Sequence, residues 1–223
     1  MHIPVLTIDG PSGAGKGTIS RIVAKKLDWN YLDSGSFYRS LAIALLQRNA
    51  DLSNESEILQ IAQAIELAFE CNDELIVKLN GKDITAQLGT EATGNVASIV
   101  AAIPEVRQVL LQKQKDFKKP PGLVADGRDM GTIVFPDADI KVFLTASAAE
   151  RAERRYKQLM GKGIDVSIRR ITREIEERDC RDKGRKTAPL VQAEDAFYID
   201  SSAMTIEAVI DQVLSLVPQR LAM

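Results

Sequence analysis

The chain contains one histidine, His2, and two cysteines, Cys71 and Cys180, in 223 residues. The cysteines have no metal-ligand spacing, which argues against a structural zinc centre, and a lone histidine beside the N-terminus offers no base for catalysis. Charge of one sign is also lacking. A formal net charge of -2 argues against a protein that coats nucleic acid. No apolar run approaches membrane-spanning length, and the N-terminus enters a strand without a signal-peptide pattern, so a soluble cytoplasmic protein is expected. Internal repeats and low-complexity segments are absent. Hydrophobic residues are not: at 45% they suffice for one domain with a full core and room for an insertion.

Directly after the apolar run Val5-Leu6-Thr7-Ile8 comes Gly10-Pro11-Ser12-Gly13-Ala14-Gly15-Lys16-Gly17-Thr18, followed by a helix-like stretch to Leu27. Gly10, Gly15 and Lys16 fit the G-x-x-x-x-G-K core of a phosphate-binding loop. Glycines allow the backbone to turn its N–H groups toward an anion, the helix N-terminus adds its dipole, and Lys16 adds a mobile positive charge. Gly17 departs from the general pattern, because it sits where Ser or Thr is usual, with Thr18 next. Nucleoside triphosphate binding is expected.

Strand-like runs recur at Ile3 to Ile8, Tyr31-Leu32, Leu123 to Ala125, Ile140 to Leu144 and Ala196 to Ile199. Between them lie helical periodicities at Thr18 to Leu27, Ser36 to Arg48, Val106 to Phe117, Ala148 to Met160 and Met204 to Leu216. The alternation predicts a doubly wound α/β fold with a parallel five-stranded sheet. Two stretches break the rhythm. Phe69 to Leu79 alternates in part and leads into Asn80-Gly81, a hairpin turn foreign to a parallel sheet, so about 51–103 reads as an inserted subdomain. Arg151 to Lys186 holds nine of the chain's fifteen arginines and reads as two basic helices joined at Gly161-Lys162-Gly163.

Three constellations carry candidate chemistry. After the second strand, Ser34 is placed to cap a helix whose N–H groups face an anion, with Arg39 one turn on. A plain cap with a solvated arginine fits those residues equally well. After the third, Asp126-Gly127-Arg128-Asp129-Met130-Gly131 sets Asp126 where a strand-end acid helps to hold Mg²⁺, Arg128 against a phosphate, and Asp129 as an acceptor for an amine-bearing base. A charged turn with internal salt bridges is the alternative. Arg178, Arg181 and Arg185 recur at helical spacings of three and four and can share one face, with Arg154 and Arg155 on the preceding helix. Taken alone, that helix reads as solvated, because acidic neighbours nearly balance it, and Cys180 within it reads as passive.

In combination, Gly10 to Thr18, Leu32-Asp-Ser-Gly35, Tyr38-Arg39, Ala125 to Gly131, Glu177-Arg-Asp-Cys-Arg-Asp182 and Thr187-Ala-Pro-Leu190 resemble the bacterial cytidylate kinases, a family of P-loop nucleoside monophosphate kinases. The resemblance covers nearly the whole chain, and Gly-Lys-Gly-Thr is normal in this group. It implies a P-loop kinase fold, an enlarged monophosphate-binding insert at about 51–103 and an arginine-rich helical lid at about 151–186. It implies Mg²⁺, ATP and CMP or dCMP as ligands, with no nucleic acid or membrane partner and nothing that demands more than a monomer. By the same resemblance, the cytosine edge falls to Ser98, Arg107 and Asp129, and the monophosphate to Ser34, Arg39, Arg128 and Arg185. Arg178 and Asp182 fall near the sugar. Catalytic cations are then Lys16, Arg128, Arg154, Arg155, Arg178 and Arg185, with Thr18 and Asp126 near the metal, through water. Ser36 and Phe37 depart mildly from the family's more usual Ala and aliphatic residue. A small-metabolite kinase would be shorter and lack the hairpin insert. A nucleotide-binding switch would need no second phosphate site.

Overall fold

A computed structural model of the chain describes residues 2–71, 75–161 and 163–218; Lys162 of the expected interhelical turn lies outside them. Five parallel strands form the central sheet: β1 (Val5–Asp9), β2 (Asn30–Asp33), β6 (Leu123–Gly127), β7 (Ile140–Thr145) and β8 (Phe197–Asp200), in the order β2-β6-β1-β7-β8. β1 is buried along its whole length, as expected of a central strand covered on both faces. Alternate residues divide between two apolar clusters. Leu6 and Ile8 pack with Val142 and Leu144 beneath α1 (Lys16–Leu27) and α9 (Ile206–Ser215), while Val5 faces the cluster built around α2 (Ser34–Arg48). The chain leaves β1 toward one side of the sheet and returns from β6 to the other, so the carboxyl ends of the strands open a crevice about β1.

Each strand runs slightly further at its carboxyl end than the apolar pattern marks. Asp9, Asp33, Asp126 and Asp200 all lie within strands, because neighbouring strands supply ladder partners to residues that are polar but still paired. α1 likewise begins at Lys16 rather than Thr18, with Gly15 in the left-handed region at φ 90°. Gly10 has φ 150°, and a Cβ there would collide with the Leu144 carbonyl oxygen. Gly10→Ala is therefore expected to destabilise the protein by about 3 kcal/mol or more and to lower Tm by about 10 °C, measured by thermal unfolding.

Between β2 and β6 lie α3 (Glu55–Ala64), β3 (Leu67–Cys71), β4 (Leu75–Leu79), β5 (Lys82–Asp83), α4 (Thr85–Leu88), α5 (Glu91–Val100) and α6 (Pro104–Lys115). The three strands form an antiparallel sheet. Asn80 and Gly81 join β4 to β5 with φ 49° and 78°, the pair of positive angles that a type I′ turn demands. Among the described residues this region shows no separate core. Ile58, Ile65, Val77, Val96 and Val100 join one cluster with Phe37, Leu41 and Leu123. Phe37 also stacks on Phe69 at 5.0 Å, and Phe117 meets both rings edge-on.

After β7, α7 (Ala148–Met160) and α8 (Ile168–Gly184) pack together through Ala152, Ile171 and Ile175, a small cluster separate from the two large ones. Much of the outer charge on α8 is paired within the helix: Arg170 with Glu174 and Arg173 with Glu177, each at 2.8 Å. Exposed pairs of this kind add little stability. Among the described residues no helix is long and apolar enough to cross a membrane.

Candidate active site

The loop between β1 and α1 curls over the crevice with Gly10, Gly13 and Gly15 all at positive φ. Lys16, buried in the first turn of α1, donates from Nζ to the Pro11 carbonyl at 2.9 Å. Burial and the nearby Arg128 charge hold its pKa well below that of an ordinary lysine. The loop is tied to α8 by Arg151, which donates to Ser12 O at 3.0 Å and grips Asp179 at 2.6 and 3.1 Å. An open cleft of about 1270 Å³ lies over Lys16, Gly17 and Thr18 and extends to Asp33, Asp126 and Arg155.

Asp126, the penultimate residue of β6, lies beside Asp33, its register partner on β2. Burial, and then repulsion from Asp33, hold its carboxyl above the usual carboxylate range, while Tyr31 Oη donates to Asp126 Oδ1 at 2.6 Å. Two crowded carboxylates and the Thr18 hydroxyl, all bordering this cleft, make an all-oxygen donor set that a divalent cation would relieve. No cluster of three or more metal-ligating side chains occurs among the described residues. The fit is to a hard ion such as Mg²⁺ that keeps its waters and is shared with phosphate oxygens.

A second, narrower cavity adjoins the first. Ser34 and Arg39 reach it from α2, Ser98 from α5 and Arg107 from α6. Arg128 and Asp129 reach it from the loop after β6, and Arg178, Asp182 and Arg185 from α8 and its end. Five elements thus bring together nine residues that lie up to 151 positions apart in the chain. Gly35, Arg39, Arg128 and Arg178 border both cavities.

Asp182 organises the cations. Nearly inaccessible, it accepts from Arg128 Nε at 2.7 Å and from Arg185, with Arg178 at 4.0 Å. Burial alone would raise its carboxyl; the charges of Arg128, Arg185 and Arg178 outweigh that and hold it below the usual range. Burial and the Arg128 charge push Arg178 down to about 9. Because the folded pKa of Asp182 lies below its unfolded value of about 3.9, the stability it contributes is complete above that pH and is lost as pH falls further. Asp182→Asn is expected to cost about 3 kcal/mol at pH 7 and to flatten the acid limb of stability below about pH 4, both read from urea unfolding.

At the far wall Asp129 pairs with Arg107, both buried, and burial raises the Asp129 carboxyl against the pull of Arg107. Arg107 also donates to Ala101 O at 3.3 Å and lies 5.5 Å above the Tyr38 ring. Arg39 donates to Leu88 O, which orients it from α4.

The structure changes three expectations. Asp33, not Ser34, caps α2: its carboxylate accepts from Ser36 N at 3.3 Å and Ser36 Oγ at 2.6 Å, because β2 runs into the helix without a loop and Ser34 is already helical. Arg154 borders neither of these two cavities. Glu150 one turn back and Ser201 O at 2.7 Å hold it beside a third cavity, of about 1090 Å³, with Met204 and Ile206. Arg178, Arg181 and Arg185 do not all share a helical face, since α8 ends at Gly184; Arg185 reaches the second cavity in extended backbone while Arg181 stays exposed.

Asp9, Tyr31 and Arg151 have no role in the sequence reading, and Tyr38 enters it only as part of the resemblance. Asp9 and Tyr31 looked like the ends of ordinary strands, and Arg151 was one arginine among many. Asp9 accepts from Met130 N at 2.8 Å and Gly131 N at 2.7 Å, and burial pushes its carboxyl up to about 6 against those two hydrogen bonds.

Comparison with known proteins identifies the family. The family profile described as Cytidylate kinase matches residues 6–219. A cytidylate kinase of Methylococcus capsulatus is 56% identical over 215 residues, 96% of this chain and 97% of that protein. One from Aeromonas salmonicida is 52% identical over 98% of this chain and 95% of its own length. A solved structure of an uncharacterized protein from Eubacterium ventriosum aligns over 96% of this chain and 97% of its own at a TM-score of 0.50 and 11% identity, a likeness of fold alone. A family profile that matches residues 6–219 and relatives more than half identical over nearly the whole chain place this protein in the cytidylate kinase family.

Proposed function

We propose that the protein transfers the γ-phosphoryl group of ATP to CMP and dCMP, forming ADP with CDP or dCDP. The observation that carries this reading is the pair of adjoining cavities that share Gly35, Arg39, Arg128 and Arg178. A phosphoryl group passing from one to the other stays within reach of the same guanidinium groups. Such a transfer asks for in-line positioning and positive charge around the equatorial oxygens rather than covalent chemistry. The acceptor oxygen is ionised near neutral pH, so the lack of a histidine base has no cost.

In this reading Lys16 and Arg155 face the donor phosphates, and the apolar third cavity with Arg154 takes the donor nucleoside. Ser34, Arg39, Arg128 and Arg185 hold the acceptor phosphate, while Arg178 and Asp182 lie near its sugar. Ser98, Arg107 and Asp129 read the cytosine edge. Asp126 and Thr18 hold Mg²⁺ through its water shell; the ion, when bound, neutralises charge on the donor phosphates. Segment 51–103 acts as the monophosphate-binding insert and segment 151–186 as the lid, their approach excluding water as a competing acceptor. The protein works as a cytoplasmic monomer on free nucleotides.

The test is ADP formation with Mg-ATP and CMP, dCMP, UMP, AMP or GMP, against no acceptor. Turnover with CMP and dCMP well above the rest is expected; silence with every acceptor despite ATP binding would leave only a nucleotide-binding switch. Uracil presents a carbonyl where cytosine presents an amine, so Asp129→Ala is expected to reduce the CMP-to-UMP ratio of kcat/KM at least about tenfold. An unchanged ratio rules out the base-reading role.

A further inference from the structure

Asp9 is a buried carboxylate for which the proposed chemistry has no use. It borders none of the three cavities described above, yet it accepts two hydrogen bonds from consecutive backbone N–H groups, those of Met130 and Gly131. Its own position is the last of β1, immediately before Gly10 of the phosphate loop. The two N–H groups open the π-helical turn Met130–Val134, directly after Asp129. A carboxylate can accept from both donors at once, and burial of both oxygens keeps water from competing for them. Asp129 is therefore fixed from two directions: Arg107 holds its side chain, and Asp9 holds the backbone that follows it. The charged groups facing Asp9 are Asp129 and Lys16, one from each loop.

We propose that Asp9 is a positioning residue for recognition of the acceptor base, anchoring the phosphate-loop strand to the loop that carries Arg128 and Asp129. This deepens the reading of Asp129 as a base-reading group and rests on it. Asn is isosteric with Asp but offers one acceptor oxygen and one NH₂ group, so in Asp9→Asn a donor faces one of the two N–H donors. The loop is then released while the volume of the core is kept.

The measurement is steady-state kinetics of Asp9→Asn with CMP and with UMP, alongside ATP titrations and Tm. The expected result is a KM for CMP raised at least about tenfold, a CMP-to-UMP ratio lowered by a similar factor, and a KM for ATP within about twofold of wild type. A purely structural role would lower Tm and weaken ATP and CMP together with the CMP-to-UMP ratio intact, and that result overturns the proposal. So does a variant indistinguishable from wild type. Should Asp9→Asn fail to fold, amide exchange in the wild-type protein decides. Met130 and Gly131 N–H exchanging at least about 100-fold slower than in an open chain supports the anchor, and free exchange overturns it. A ratio that responds to Asp129→Ala but not to Asp9→Asn defeats this proposal alone, whereas a ratio indifferent to Asp129→Ala defeats the reading beneath it.

Discussion

Arg128→Ala is expected to lower kcat/KM for CMP about a thousandfold or more, a loss of about 4 kcal/mol of transition-state stabilisation. The residue borders both adjoining cavities, so in the proposed reaction its charge serves the phosphoryl group on both sides of the transfer. Its orientation is imposed by Asp182, which takes Nε, and by Gly127 O, to which Nη1 donates at 3.4 Å. Removal therefore has two effects. It takes a guanidinium from the transferring group, and it leaves Asp182 with one fewer cation in a nearly inaccessible place. Lysine should not rescue it, because an ammonium cannot bind the Asp182 carboxylate and a phosphate with a planar fork. Steady-state kinetics with a parallel Tm separate the two effects. A fall of less than tenfold in a folded variant would remove Arg128 from the site.

Lys16→Met is expected to move activity and stability in opposite directions. Lys16 is buried between the Arg128 and Arg178 charges and the Asp126 and Asp9 carboxylates; burial and then Arg128 outweigh the carboxylates and disfavour its charge. An apolar side chain of similar length relieves that strain, so Tm should hold or rise by a few degrees, at roughly 2–4 °C per kcal/mol for a chain of this size. Turnover should fall about a thousandfold, because the charge that meets the donor phosphates in the transition state is lost. Lys16 borders the phosphate cleft and not the acceptor cavity, so CMP binding by calorimetry should stay near wild type. A variant that loses CMP binding and Tm together would show Lys16 to be a structural prop instead.

Local signals carried much of this site. The glycine-rich loop, the acid near the carboxyl end of β6 and the Asn80-Gly81 turn are each specified by residues within about ten positions, where backbone freedom and short-range hydrogen bonding decide the outcome. Resemblance to a family supplied what spacing could not: Ser98 and Arg107 carry no local mark of function, and they face Asp129 only because α5 and α6 fold back over α2. α3 and α5 were unread because their apolar faces are short and are completed by Phe37, Leu41 and Leu123 from elsewhere. Ser34 was mistaken for a cap because periodicity marks where a helix is, while cap geometry depends on how the preceding strand ends.

By itself, then, the sequence determined a parallel α/β domain, its phosphate loop, the antiparallel insert and a belt of arginines, since these follow from apolar periodicity, glycine placement and charge composition. Tertiary structure alone decided which arginines face which cavity. Arg170 and Arg173 neutralise their own helix, Arg154 is drawn to Ser201, Arg151 locks the phosphate loop to α8, and Arg128, Arg178 and Arg185 gather on Asp182. A guanidinium goes where buried carboxylates and carbonyls leave it a partner, and those partners come from strands and helices far away in the chain.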